Sequence, residues 1–443
     1  MSIDVPTRPP DTHSDGLRDR LREIARGDAT PDRLRRVCAV LVLGCLIAGV
    51  ASLVAGIERA RAVADGGDRI GGIVADAGAV YRLLADADAM ATSGFVSGGQ
   101  EPPAVRARYD ADIARASALL VDAAAKLPAG DPAAAAVTTL AEELPVYTAL
   151  VETARVHNRQ NLPLGQSYLT TASRLMTAEL LPAADTLREL QTALLRDRLA
   201  SAGDVPWAPV ITLVAALAAV VDVSVRESRR TNRVFSPGLA VAGGALVVAL
   251  VWWAGAAVVC RAELADADRH VSVADALEDA GTAVLQARSN ESLVLVARNS
   301  GTADAGYVEQ MEKVLGPHGR GGLLAAAAAA ADPGATAGID EIRAAAEAWQ
   351  TAHRTVRALD DEGRYAEAVA SAVGTGPTTS GSRFDRLDAE LSEALAAERV
   401  AFADATGTAG TALTGISGGP AVLALVAAVG AVAGLGRRIG EYR

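Results

Sequence analysis

The stretch that decides the fold is Val37–Ile57, V-C-A-V-L-V-L-G-C-L-I-A-G-V-A-S-L-V-A-G-I, which carries no acidic or basic side chain. A helix needs about 20 such residues to cross roughly 30 Å of hydrocarbon. Three more stretches of that length follow at Val205–Val225, Pro237–Cys260 and Ile416–Leu435. The four spans divide the 443 residues into a tail (1–36), a large block (58–204), a short loop (226–236), a second large block (261–415) and a short tail (436–443). Most of the polar mass therefore lies on one side of a membrane.

Arginine placement predicts which side. Cytoplasmic flanks of spans collect Lys and Arg. Arg33, Arg35 and Arg36 precede the first span; Arg226, Arg229, Arg230 and Arg233 fill the middle loop; Arg437, Arg438 and Arg443 follow the last span. The large blocks are acidic instead, with 14 basic against 19 acidic residues in the first and 13 against 24 in the second. Both termini are expected in the cytoplasm and both blocks outside the cell membrane. Trp207, Trp252 and Trp253 fall in the outer parts of their spans, as an interfacial belt would place them. Val42-Leu43-Gly44-Cys45 loosely resembles a lipoprotein cleavage box. It lies deep in the apolar run and is followed by further apolar residues, so the first span is expected to stay uncleaved.

Hydrophobic residues make up 50% of the chain and aromatics only 3%, which leaves helix-forming Ala, Leu, Arg and Glu to build the blocks. Cys38, Cys45 and Cys260 all sit in or beside spans, so no disulfide is expected in either block. The net charge of −11 offers nothing to nucleic acid.

The two halves repeat. Asp76-Ala77-Gly78 recurs as Asp279-Ala280-Gly281 and Ser97-Gly98 as Ser300-Gly301, both displaced by 203; the same offset carries Ile57 onto Cys260. The offset drifts to 211 where Arg226 meets Arg437. Each half thus reads as span, block, span in one orientation, a parallel repeat. Ile70, Val74, Ala77, Tyr81 and Leu84 follow the 4-3-4-3 spacing of a bundle seam. A first helix is expected to continue out of the span to Ser97-Gly98-Gly99, with Gly66-Gly67 as its weak point. Helices should follow over Pro103–Lys126, from Pro132 to about Asn158, and from Pro163 back toward the second span, with a kink at Pro182. In the second block they should run over about 261–299, 303–331 with a break at Gly316-Pro317-His318-Gly319, 336–358, 362–373 and 381–412. The expected architecture is an all-α membrane protein: four transmembrane helices and two extracytoplasmic antiparallel helical bundles in tandem.

Catalytic, metal and cofactor constellations do not stand out. His13, His157, His270, His318 and His353 are scattered, and the glycine-rich run at 316–322 lacks the Lys-Ser/Thr of a phosphate loop. The expectation is a non-enzyme without cofactor. Three groups of residues carry candidate roles. Leu17, Leu21 and Ile24 form one face of a short charged helix that, with Arg226, Arg229, Arg230 and Arg233, could dock an effector or lie on anionic lipid. Gly44, Ala48, Ser52 and Gly56, with Gly430 and Gly434, have the spacing of close helix contacts in a membrane. Tyr109, Tyr147, Tyr168, Tyr307 and Tyr365 stand out in aromatic-poor blocks as core residues or as the lining of a ligand cleft.

With almost no polar residue in the spans, the economical function is transmission of a signal by shifts of helices that leave the membrane. Each half resembles the four-helix-bundle sensor modules of bacterial chemoreceptors and sensor kinases. The whole layout resembles actinobacterial four-span membrane proteins of the GlnX type: an Arg-rich tail, two span–bundle–span units, the Arg226–Arg233 loop and the Arg437-Arg438 tail. That resemblance implies a relay of amino-acid availability from an extracytoplasmic solute-binding lipoprotein (GlnH) to a cytoplasmic Ser/Thr kinase (PknG). The membrane lipid is the other expected partner, and oligomers are left open. The alternative reading is a transporter accessory subunit or a structural envelope protein.

Overall fold

A computed structural model describes residues 30–96, 101–128, 130–204, 206–231, 236–297 and 301–441. Among them helices dominate and no strand occurs. Four helical stretches, within 33–96, 164–229, 237–296 and 380–437, are long and apolar enough to cross a membrane. The chain is a membrane protein on this ground.

The first half contains α1 (Thr30–Ala64), α2 (Gly71–Val96), α3 (Pro103–Lys126), α4 (Ala133–Arg159), α5 (Leu164–Leu175), α6 (Leu181–Gly203) and α7 (Trp207–Thr231). The second contains α8 (Pro237–Ala297), α9 (Gly301–Leu315), α10 (Gly322–Ala330), α11 (Thr336–Asp361), α12 (Tyr365–Val373) and α13 (Ser380–Glu441). Local chemistry sets the breaks. Pro103 opens α3 with its fixed φ, and the Asp131 carboxylate accepts the Ala133 N–H at 2.9 Å to start α4. Gly316, at φ 81°, ends α9 where a Cβ would collide with the Arg320 carbonyl.

The weak point at Gly66-Gly67 and the proline at 182 both leave their mark as π-helical turns. Asp65–Ile70 winds as one between α1 and α2. Met176–Leu180 winds as another, ending two residues before Pro182. A wider turn there accommodates a residue that has no N–H to give and a ring that crowds the preceding carbonyl. In the second half, α8 and α13 have no such turn; α13 carries Pro420 inside an unbroken 62-residue helix.

The chain divides into two compact units. One comprises 1–60, 205–259 and 411–443 and contains the apolar spans. Val40, Leu43, Val50, Val251 and Val429 point outward from it, the surface a lipid phase would cover. Its helices meet through small residues. A Cβ on Gly238 of α8 would stand 2.5 Å from the Gly430 carbonyl oxygen and 2.5 Å from the Gly434 nitrogen of α13. Gly49 lies against Ala424 in the same manner. Without a hydrophobic gain between helices in lipid, such close backbone approach supplies the packing.

The other unit comprises Arg61–Asp204 and Cys260–Gly410. Two separate bundles were expected; the blocks instead share one hydrophobic core, in which Leu84, Leu140 and Leu187 from the first half join Leu277, Leu324 and Leu391 from the second. Polar contacts also join them. Arg108 of α3 reaches Asp388 of α13 at 2.7 Å, and Arg196 of α6 reaches Asp275 of α8 at 2.8 Å. Alanine explains the fusion: with so small a side chain, α2 and α8 can each pack on more than one face.

Candidate ligand cavity and buried polar seam

Helices α2 and α8 meet along a polar seam. Gln286 donates to the Tyr81 hydroxyl at 3.2 Å, Ser289 donates to Asp88 at 2.7 Å, and the Ser93 and Ser292 hydroxyls lie 3.1 Å apart. Where the seam opens, a cavity of about 490 Å³ is bounded by α2, α6, α8, α9 and the start of α10. Its wall is charged in both senses: Arg82, Arg188 and Lys313 face Asp185, Glu189, Glu278 and Asp279.

The cations differ in how they are held. Burial alone would lower the pKa of Arg188. Asp279 and Asp185, each at 2.8 Å, outweigh it and raise that pKa further above its ordinary value. Arg188 is therefore a committed cross-link. Arg82 is different. Its Nε is buried without a hydrogen-bond partner, and among the described residues no carboxylate is ion-paired with it. Burial, only partly countered by Glu278, lowers its pKa. A guanidinium keeps its charge regardless, and a desolvated charge without a partner is costly. Beside it, burial raises the Tyr81 pKa, so the hydroxyl stays a neutral donor. Burial also raises that of Asp279.

Among the described residues, Asp88 and Glu291 are the most deeply buried carboxylates of their halves. Asp88 of α2 accepts from Ser289, from Ser173 at 2.8 Å and from Tyr147 at 3.3 Å, and burial raises its pKa. Displaced by 203 residues, Glu291 of α8 accepts from Ser380 at 2.6 Å and faces His353 at 3.0 Å and Arg288. Burial pushes Glu291 up, but His353, Arg288 and Ser380 together outweigh it and hold its pKa low. The Arg155 guanidinium lies 4.2 Å from the Tyr109 ring centre and pairs with Glu101; His353 stacks on Tyr307 at 3.5 Å and faces Asp304. The hydroxyls of Tyr109 and Tyr307 are both buried without a partner.

None of the five tyrosines singled out as cleft candidates borders the cavity. Tyr109, Tyr147 and Tyr307 are core residues. Tyr168 stacks on His157, and the Tyr365 hydroxyl donates to the Leu295 carbonyl. In helices this rich in alanine, the few bulky side chains are taken up filling the core. The cavity residues escaped notice because Tyr81 reads as one more seam position and Arg82 as its solvated neighbour.

Of the membrane positions, Ala48, Ser52 and Gly56 lie on the buried face of α1 together with Cys45 and Gly49, and Ser52 donates to the Ala48 carbonyl. Gly44 is off that face, with open space around it, because a strict spacing of four drifts around a helix of 3.6 residues per turn. Gly430 and Gly434 face Gly238 and Leu239. Trp207 and Trp252 are exposed, whereas Trp253 is buried, with the Arg59 guanidinium 5.9 Å from its ring centre. Asp222 pairs with Arg226 at 2.8 Å. Arg229 is an exposed residue on α7. Leu17, Leu21, Ile24 and Arg233, and the side chain of Arg230, lie outside the described residues.

The stretch from the end of α1 to the last turns of α6 carries the decisive likeness. Residues 62–200 match the actinobacterial sensor domain. No curated protein and no solved structure matches the chain. The sensor domain covers less than half of the sequence, yet it holds Tyr81, Arg82, Asp88 and Arg188. That likeness supports an actinobacterial sensor protein with a sensing or signalling role.

Proposed function

We propose that the protein is a non-enzymatic transmembrane relay, in which a small polar solute occupying the cavity beside Arg82 changes the state of the cytoplasmic face. In this reading both termini and the Arg226–Arg233 loop are cytoplasmic, the unit of Arg61–Asp204 and Cys260–Gly410 is extracytoplasmic, and the two halves are a tandem repeat. The signal is a nutrient, with amino acids the class that the resemblance to the GlnX type brings. It is delivered by the solute itself or by a solute-binding lipoprotein. The output passes to a soluble effector such as a Ser/Thr kinase.

One observation carries the reading. A cavity with walls of both charges, and with a guanidinium that has no ion pair, is lined in part by the stretch that matches a sensor domain, which supplies Tyr81, Arg82 and Arg188. A half-buried cation without an ion pair favours the state in which an anionic group meets it. Continuity of structure supplies the output. Helix α8 holds a span and the seam residues Gln286, Ser289 and Ser292 in one unbroken run, so a displacement at the seam need not cross a joint.

The test is thermal stabilisation of the full chain, in nanodiscs, by a panel of small amino acids, carboxylates and amines. A member of the panel should raise the unfolding temperature. Arg82→Met should abolish that rise while leaving the apo protein at least as stable as the parent. A panel without effect, or an Arg82→Met chain that responds like the parent, contradicts the reading.

A further inference from the structure

Near the start of the polar part of α8, Asp266 and His270 stand one turn apart on one face. The carboxylate of Asp332, in the turn before α11, faces the same point. One ligand atom from each of the three lies within 4.8 Å of the others. From these residues we propose a divalent transition-metal site, with zinc the best match, held by Asp266, His270 and Asp332.

Geometry on the ring supports it. His270 Nδ1 lies 2.6 Å from the carboxylate of Glu398 on α13, a side chain only 10% exposed. That contact turns Nε2 toward Asp266, 3.7 Å from its carboxylate. A carboxylate behind the non-coordinating nitrogen is the arrangement that orients metal-binding histidines and strengthens them as ligands. Zinc bonds of about 2.0–2.1 Å in tetrahedral geometry put ligand atoms roughly 3.3 Å apart, so contraction by a few tenths of an ångström closes the pair. Mixed imidazole and carboxylate donors favour zinc over magnesium or calcium.

Charge supports it as well. Three carboxylates, of Asp266, Asp332 and Glu398, surround His270, and the cation among them is Arg269, which pairs with both Asp266 and Asp332. Arg269 is nearly half exposed and free to swing into solvent. With its guanidinium withdrawn, the ring of acids has the charge a divalent ion neutralises. Arg269 is thus the competitor that the ion displaces. A bound ion would tie α8, α13 and the turn at 331–335 together. This assignment is independent of what occupies the cavity beside Arg82.

The experiment is zinc titration of the untagged, full-length protein in detergent, with cobalt as a second probe whose visible absorption reports tetrahedral coordination. The parent chain should take up one equivalent saturably, in preference to magnesium and calcium. His270→Ala should weaken uptake at least about tenfold, and Glu398→Gln about tenfold, the lower end of the effect of second-shell partners. Arg269→Ala should tighten it by about tenfold or more, because a like charge beside the ion is removed. That gain cannot come from misfolding. Absence of saturable uptake by the parent, unchanged uptake by His270→Ala, or no gain from Arg269→Ala overturns the proposal.

Discussion

Replacing Ser289 by alanine removes one hydroxyl and probes the seam between the halves. In the native structure Ser289 of α8 donates to Asp88 of α2 at 2.7 Å, alongside Ser173 at 2.8 Å and Tyr147 at 3.3 Å. Asp88 is buried without a cation among these partners. Losing a donor to a charged acceptor costs about 1.5–3 kcal/mol, and the two remaining donors cannot fill the lost position. For a unit of this size that corresponds to a fall of roughly 3–6 °C in unfolding temperature. The sign of the pH dependence follows from the pKa. Burial raises the folded-state pKa of Asp88 above its unfolded value, so its contribution to stability is fullest in acid and is lost as pH rises through the folded pKa. Removing a donor raises that pKa again. The deficit of Ser289→Ala against the parent should therefore be least in acid and grow as pH rises. The assay is thermal unfolding of both full chains in matched detergent across a pH series, followed by circular dichroism. A deficit independent of pH, or one below about 0.5 kcal/mol, the usual scale of surface substitutions, would refute the reasoning.

Two further outcomes follow from the helices themselves. Gly238→Val places branched carbons against the backbone at Gly430 and Gly434 and should destabilise the apolar unit by about 1–3 kcal/mol, read as a lower resistance to unfolding in SDS; an unchanged resistance would mean that the contact does not hold α8 to α13. Four glycines inserted after Arg61, just before the π-helical turn at Asp65–Ile70, should uncouple cytoplasmic output from binding without weakening binding. Intact output would show that displacement does not pass through α1.

What could be read from the sequence and what could not have physical reasons. Apolar windows such as Val37–Ile57 dominate any local signal, and the helix breaks at Pro103, Asp131-Pro132 and Gly316 depend on residues that act within a turn of themselves. The weakness at Gly66-Gly67 was legible as a site of trouble, though not as a π turn, because the turn type depends on packing against Leu199 and Thr406 from distant helices. The merging of the two blocks was hidden because it rests on alanines such as Ala87 and Ala280, which give the same apolar signal whether they face their own half or the other. Asp88 and Glu291 are acidic residues separated by the same 203 positions that relate Asp76 to Asp279, a signal that could have marked them. Arg82 carried none, since its meaning lies in the partner that it lacks.

In the proposed topology the unit that contains residues 62–200 faces outside while the arginine-rich loop faces the cytoplasm. Alkaline phosphatase, active only after export, tests it directly when fused in the two polar blocks and in the loop. Fusions at Gly130 and Gly334 should be active and a fusion at Arg230 inactive. Activity at Arg230 with silence at Gly130 and Gly334 would contradict the account.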